Sequence, residues 1–121
     1  MTKILITEFI NQNSLDNLKK KFDLKYDEEL YKNKLELENI IHDYEGLIVR
    51  NKTQVNSDVL KKAKELKFIG RLGVGLDNID TEYCKNKNIH VQPATGMNAE
   101  SVAEYIAVSY THLRAHETSR Y

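Results

Sequence analysis

The sequence predicts an α/β fold, a flavodoxin-like parallel sheet with helices on both faces. Short apolar runs alternate along the chain with segments of helical periodicity, as expected of repeated strand-helix-strand units. The run Gly46-Leu47-Ile48-Val49 is apolar throughout, which is typical of strands buried on both faces of a parallel sheet. The 121 residues leave room for one small domain with a real core, and right-handed crossovers would return each helix to the sheet.

The first half of the predicted domain consists of two strands and two helices. The apolar residues Ile4 to Ile6 predict the first strand, and Ser14 is a candidate cap for the helix that follows. This helix has one apolar face, formed by Leu15, Leu18 and Phe22. Residues 24–26 predict a short second strand, and a second helix is indicated by Leu35, Ile40 and Ile41.

The second half repeats this alternation. After the strand at residues 46–49, Asn56 or Ser57 can cap a helix with an apolar face formed by Val59, Leu60, Ala63 and Leu66. Further strands are predicted at residues 68–72 and 89–92, with a short helix at 81–86 between them. A loop follows, and a last helix begins at Asn98.

Composition argues against several classes of partner. The 18 basic residues balance the 18 acidic ones, so no net charge attracts nucleic acid or an anionic membrane surface. No stretch approaches the roughly 18 apolar residues that span a bilayer, and the amino terminus lacks the pattern of a secretory signal. The single cysteine, Cys84, has no disulfide partner and is interpreted as a small packed residue. We expect a cytoplasmic protein, with neither nucleic acid nor membrane as a partner.

A glycine-punctuated turn follows the strand at residues 68–72. Gly73 and Gly75 could let backbone N–H groups approach a small anion. The turn is not a dinucleotide fingerprint, because the third glycine of G-x-G-x-x-G would fall at Asn78. A purely structural turn, in which the glycines permit positive φ, is the alternative.

A second candidate feature is Arg50, which directly follows the strand at residues 46–49. Open α/β sheets place ligands at the carboxyl ends of their strands. A guanidinium at one strand end and backbone donors at the next would together form a site for a carboxylate. The alternative is that Arg50 is only a solvated charge.

Histidine chemistry is not expected from this chain. His42 and His90 are interpreted as surface or hydrogen-bonded structural residues. His112 and His116 have helical i, i+4 spacing but lack a third ligand at sensible spacing, so no metal site is predicted.

Two segments carry a resemblance to a known family. The segments "LIVRNKTQVNSDVLKKAKELKFIGRLGVGLDNIDTEYCKNKNIHV" and "NAESVAEYIA" resemble the amino-terminal substrate-binding domain of D-isomer-specific 2-hydroxyacid dehydrogenases, the family of D-3-phosphoglycerate dehydrogenase. The resemblance implies that Arg50 and Asn51 lie at the substrate mouth. It implies that Val74 and Gly75 present backbone donors to the substrate carboxylate, that the Val74 side chain borders the nicotinamide, and that Asn98 opens the interdomain helix beside the site.

The resemblance also divides the chain. Residues 1–96 are expected to be the substrate-binding domain, and 97–107 the start of the helix that leads to an absent NAD-binding Rossmann domain. Residues 108–121 look like the translation of a sequencing-library adapter and are expected to be non-native. One departure from the family is the loop Pro93-Ala94-Thr95-Gly96, where members commonly have Asn-x-Pro-Gly, which leaves the choice of substrate open.

These observations lead to two functional hypotheses. In the first, the chain is the amino-terminal part of an NAD-dependent dehydrogenase acting on a small 2-hydroxy or 2-oxo acid, with NADP as an alternative cofactor. The cofactor would be bound mainly by the absent domain, which would also supply the family's catalytic Arg, Glu and His, so this piece alone is expected to be inactive. The parent is expected to be a homodimer. In the second, the fold serves as a non-catalytic module that binds a small ligand or a protein.

Overall fold

The computed structural model describes residues 2–72 and 75–93 of the chain. They form a sheet of five parallel strands in the spatial order β2-β1-β3-β4-β5. The strands are β1 (Lys3–Ile6), β2 (Asp23–Tyr26), β3 (Gly46–Val49), β4 (Phe68–Arg71) and β5 (His90–Pro93). This is the flavodoxin-like order, in which the direction of winding reverses between β1 and β3, so the predicted fold class is confirmed.

Four α-helices connect the strands in the described residues: α1 (Gln12–Lys19), α2 (Lys34–Ile40), α3 (Ser57–Lys62) and α4 (Thr81–Asn86). Short 3-10 turns occupy Leu30–Lys32 and Ile41–Asp43. Each α-helix begins after a residue whose side chain accepts a backbone N–H of the first turn, namely Asn11, Asn33, Asn56 and Asp80. Such caps satisfy donors that have no partner within the helix. None of the helices in the described part of the chain is long and apolar enough to cross a bilayer.

The core consists of two apolar layers, one on each face of the sheet. Because successive side chains of a strand point to opposite faces, β1 sends Ile4 and Ile6 to one layer and Leu5 to the other. The layer on the α1 side is completed by Leu15, Leu18, Phe22, Ile48 and Phe68. The opposite layer packs against α2, α3 and α4 through Leu37, Val59, Leu60 and Cys84, among others. Helices on both faces therefore follow from strands that are apolar on both sides.

One local prediction from the sequence, the cap of α1, is wrong. Ser14 does not cap α1 but lies inside it, and its N–H donates to Asn11 Oδ1 at 2.8 Å. Asn11 has an extended backbone, with φ −72° and ψ 160°, as a capping residue requires. The second predicted helix is observed as α2. It faces the core through Leu37, with Ile41 buried just after the helix end, so Leu35 is 74% exposed. The predicted strand at 89–92 is observed one residue later, as β5.

Gly46 allows β1 and β3 to pack closely. It pairs with Ile4 across the two strands, and a Cβ atom at position 46 would lie only 3.1 Å from Ile4 Cγ1. A side chain there would force Ile4 to move within a packed layer. The glycine therefore sets the packing at the junction where the sheet changes its direction of winding.

Candidate functional site

The carboxyl ends of β1, β3 and β4 lie side by side, because the three strands are adjacent and parallel. Polar residues follow two of these ends, Thr7-Glu8 after β1 and residues 50–53 after β3, and the glycine-containing segment follows β4. Ligands of open α/β sheets bind in the crevice at this edge, next to the point where the strand order reverses. The predicted placement of both strand ends at one edge is confirmed.

Arg50 and Asn51 are both exposed at this edge. Among the described residues, no acidic side chain forms an ion pair with the Arg50 guanidinium. The backbone of Arg50, in contrast, is held at both of its polar atoms, since its N–H donates to Glu8 and its carbonyl oxygen accepts from Asn78. An exposed cationic side chain thus projects from a fixed backbone.

Glu8 directly follows β1 and is hydrogen-bonded to the loop after β3. The residue is only 3% exposed, and its carboxylate accepts four hydrogen bonds. Three come from the backbone N–H groups of Arg50, Lys52 and Thr53, at 2.8, 3.0 and 2.9 Å. The fourth comes from the Thr53 hydroxyl at 2.7 Å. Hydrogen bonds of this kind offset the cost of burying a charged group, so the Glu8 carboxylate fastens the loop after β3 to the end of β1.

The end of β1 is tied to the same loop through a second contact. The hydroxyl groups of Thr7 and Thr53 lie 2.7 Å apart and share a hydrogen bond, and both residues are fully buried. The Lys52 ammonium lies 5.1 Å from the ring centroid of Tyr31, within the range of a cation–π contact. The loop after β3 is therefore held by β1 and by the segment that precedes α2.

Asn78 holds the loop from the other side. Its side-chain amide donates to the carbonyl oxygens of Arg50 and Thr53, both at 2.8 Å, while its Oδ1 accepts from Arg71 Nε at 3.2 Å. This is the position where a dinucleotide fingerprint would have its third glycine. In this chain the Asn78 side chain instead connects the loop after β3 to the segment after β4.

Backbone pairing completes the connection between the two loops. Val55 and Ile79 form an isolated parallel bridge, in which the Val55 N–H donates to the Asn78 carbonyl at 2.8 Å and the Asp80 N–H donates to the Val55 carbonyl at 2.9 Å. Together with the Asn78 side chain, the bridge makes a single unit of the segments that carry Arg50 and Gly75.

The last residue of β4 is a buried cation. Arg71 is 8% exposed, donates to the Leu72 carbonyl at 3.2 Å, and has its Nη2 atom 3.7 Å from where a Cβ atom of Gly75 would lie. Gly75 itself does not adopt a positive φ, so at this residue the alternative in which the glycines only permit positive φ is not supported. A Cβ atom at Gly75 would therefore lie at an ordinary van der Waals distance from the Arg71 guanidinium. Gly73 and Val74 lie outside the described residues, as does Asn98.

Sequence reasoning proposed Arg50, Asn51 and Gly75 as site residues but did not identify Glu8 and Asn78, whose side chains hold the loop after β3. Glu8 was visible as an acid directly after a buried strand, and Asn78 as a polar residue at a glycine position. Neither pattern alone indicates a partner more than 20 residues away. Among the described residues, no group of three His, Cys, Asp or Glu side chains could hold a metal ion.

Cys84 and the described histidines lie apart from this edge of the sheet. Cys84 is fully buried, which confirms its interpretation as a packed residue. Burial, and to a smaller degree the charge of Asp80, raise the pKa of its thiol to about 11. His42 lies in a 3-10 turn and His90 on β5, and both are exposed. Their placement agrees with a surface role.

Comparison with known proteins identifies the family. Residues 4–118 match the family described as D-isomer specific 2-hydroxyacid dehydrogenase, catalytic domain. The chain belongs to this family. Its members are oxidoreductases, and the resemblance inferred from the sequence is confirmed.

Curated relatives act on several acids. The chain is 39% identical over 114 residues to an (S)-sulfolactate dehydrogenase of Chromohalobacter salexigens. The aligned segment covers 94% of this chain and 37% of that protein. It is 41% identical over 104 residues to a D-3-phosphoglycerate dehydrogenase of Methanocaldococcus jannaschii, covering 86% and 20% of the two chains. The chain therefore spans well under half the length of these relatives.

Solved structures share the fold. A Pyrococcus horikoshii protein matches with a TM-score of 0.75 and 31% identity over 79% of this chain and 28% of that one. The NAD+-bound 3-phosphoglycerate dehydrogenase of Entamoeba histolytica matches with a TM-score of 0.68 and 27% identity, over 77% of this chain and 32% of that one. In both cases the similarity is confined to about a third of the larger chain or less.

Proposed function

We propose that this chain is the substrate-binding part of an NAD-dependent dehydrogenase that oxidises or forms a small D-2-hydroxy acid in the cytoplasm. The observation that carries the proposal is the exposed guanidinium of Arg50 on a backbone fixed at both polar atoms. It lies at the carboxyl edge of a flavodoxin-like sheet, where such folds bind ligands. Family membership supports a 2-hydroxy acid as that ligand.

The chemistry of this edge suits a carboxylate. The Arg50 fork can donate two parallel hydrogen bonds to the two oxygens of an acid. Backbone N–H groups of the turn, at Val74 and Gly75, are proposed as the donors on the other side of the same carboxylate, with Asn51 and Asn98 at the mouth of the site and the Val74 side chain against the nicotinamide. Holding the acid at two points fixes the orientation of its C2 atom, which is a main source of rate in enzymes.

The described residues fit a cofactor that is held mainly elsewhere. The third glycine position of a dinucleotide fingerprint is taken by Asn78, whose amide is engaged with two carbonyl oxygens, which does not favour a pyrophosphate site at this residue. The helix that follows, α4, has six residues and starts after the Asp80 cap. NAD, or NADP as the alternative, would be bound mainly by a second domain and would supply or accept the hydride at C2 of the acid. The family's Arg, Glu and His, also on that domain, would polarise the oxygen and move the proton.

The proposal is tested on the complete protein encoded by the gene. Purified enzyme is incubated with NADH or NADPH and a panel of 2-oxo acids, among them hydroxypyruvate, 3-phosphohydroxypyruvate and 3-sulfopyruvate, and the absorbance at the nicotinamide band is followed. The reverse reaction compares D- and L-enantiomers of the matching hydroxy acids. We expect turnover with the D-isomer of at least one acid, and a homodimer in solution by light scattering. Binding of an acid without turnover would instead support the non-catalytic module.

A further inference from the structure

The loop that carries Arg50 is wrapped around one carboxylate. Three of the four residues from Arg50 to Thr53 direct their backbone N–H groups at Glu8, which lies on a different strand end. Consecutive N–H groups that converge in this way form an anion-binding concavity. Here the anion belongs to the chain, and it is 3% exposed.

The side of the loop that faces Glu8 is closed to solvent. Thr53 is fully buried and Asn78 is 7% exposed. Removing the Glu8 charge would leave converging donors without an acceptor of matching strength, at an appreciable cost. The loop would relieve that cost by rotating its peptide units, and the Arg50 side chain would move with them.

We infer that Glu8 is a positioning residue that sets the direction of the Arg50 guanidinium toward the substrate carboxylate. This inference rests on the proposed function, because it concerns the same site. Glu8 does not touch the substrate; it acts through the backbone of Arg50. Its partner in this task is Asn78, which holds the carbonyl oxygen of the same peptide segment.

A geometric role predicts a specific kinetic signature. A displacement of about 1 Å at a group that orients the substrate can lower the rate by about 100-fold. In the complete enzyme, Glu8→Gln should raise KM for the 2-oxo acid by about 10-fold or more and leave KM for the nicotinamide cofactor within about twofold. The matched control is Glu65→Gln, which removes a charge from an exposed residue and should change neither KM.

The closing experiment is a double-mutant cycle between Glu8→Gln and Arg50→Ala, with kcat/KM for the acid as the readout. If Glu8 acts through Arg50, the double variant should be no worse than Arg50→Ala alone, to within about twofold, because the group to be positioned is already absent. If the two losses multiply, or if Glu8→Gln leaves KM for the acid unchanged, the positioning role is wrong.

A second pair of variants covers the case in which Glu8→Gln fails to fold. Thr53→Val removes one donor to Glu8 and Thr53→Ser keeps it; only the first should raise KM for the acid, again without effect in an Arg50→Ala background. Equal KM values for the two variants would contradict the inference. The proposed function and the positioning role can fail separately. A wild-type enzyme without dehydrogenase activity would contradict both. An active enzyme that is sensitive to Arg50→Ala but not to Glu8→Gln would contradict only the positioning role of Glu8.

Discussion

The side-chain amide of Asn78 donates a hydrogen bond to the Arg50 carbonyl oxygen at 2.8 Å, which joins the turn after β4 to the end of β3. The same amide donates to Thr53, and its oxygen accepts from Arg71. One side chain thus satisfies three polar groups that lie within the domain.

Replacing this side chain should destabilise the domain. Asn78→Leu leaves two carbonyl oxygens and one guanidinium N–H without their partner, and a buried polar group left unpaired costs about 1–3 kcal/mol. We expect the free energy of unfolding, measured by urea denaturation, to fall by at least that amount. Asn39→Leu, at an exposed position of α2, should change it by less than about 0.5 kcal/mol. Equal effects of the two substitutions would show that the Asn78 contacts do not contribute.

Two glycines should respond differently to alanine. A Cβ atom at Gly46 would lie 3.1 Å from Ile4 Cγ1, whereas the nearest described atom to one at Gly75 would be Arg71 Nη2, at 3.7 Å. Overpacking a core typically costs about 1–3 kcal/mol, so Gly46→Ala should lower the free energy of unfolding by that amount. Gly75→Ala should leave stability nearly unchanged, since no positive φ is lost there. A tolerated Gly46→Ala would mean that β1 and β3 can move apart easily.

The sequence was sufficient to predict the sheet and its two layers of helices, because a strand that is buried on both faces is a continuous apolar run, as in residues 46–49. It placed Arg50 at the correct edge, since parallel strands bring their carboxyl ends together. It could not give the contacts of Glu8, whose partners are more than 40 residues away. Local signals were ambiguous as well: Ser14 and Asn11 are both good capping residues, and only the backbone of Asn11 leaves the helix in an extended form.

The thiol of Cys84 should be inert in the folded protein. Burial, with a smaller contribution from Asp80, raises its pKa from 9.0 to about 11, and the thiolate is the reactive species. Labelling by a disulfide reagent at pH 8 should therefore be slow, and become rapid once urea unfolds the chain. Rapid labelling under native conditions would contradict the burial of this residue.

The same shift predicts an alkaline loss of stability. A thiol whose pKa is raised by folding binds its proton more tightly in the native state, so stability is intact below pH 9.0 and declines as the pH rises toward about 11. The raised pKa of Tyr44, caused mainly by burial, adds to this decline. The comparison is therefore between wild type and Cys84→Ala, whose thermal midpoint should fall less steeply over this range. Parallel curves would show that the thiol does not contribute.

The piece of chain in this sequence should lack activity by itself. The described residues are proposed to form only one side of the active-site cleft, and the groups that bind NAD and move the proton are proposed to lie on another domain. Purified residues 1–121 should show neither NADH binding by fluorescence titration nor oxidation of any D-2-hydroxy acid. Removal of residues 108–121 should leave the thermal midpoint nearly unchanged if they are adapter-derived. Cofactor-dependent turnover by residues 1–121 would contradict the assignment of these functions to a second domain.

The central claim, that Arg50 binds the carboxylate of the substrate, is tested most directly by kcat/KM of Arg50→Ala in the complete enzyme. Loss of a hydrogen bond to a charged group costs about 1.5–3 kcal/mol, so kcat/KM should fall about 10- to 150-fold while KM for the cofactor stays unchanged. Arg50→Lys should recover part of the loss, because an ammonium cannot reproduce the bidentate geometry. Lys61→Ala, which removes an exposed cation from α3, should have no effect. Wild-type kcat/KM of Arg50→Ala for every accepted acid would contradict the claim and leave Arg50 as a solvated surface charge.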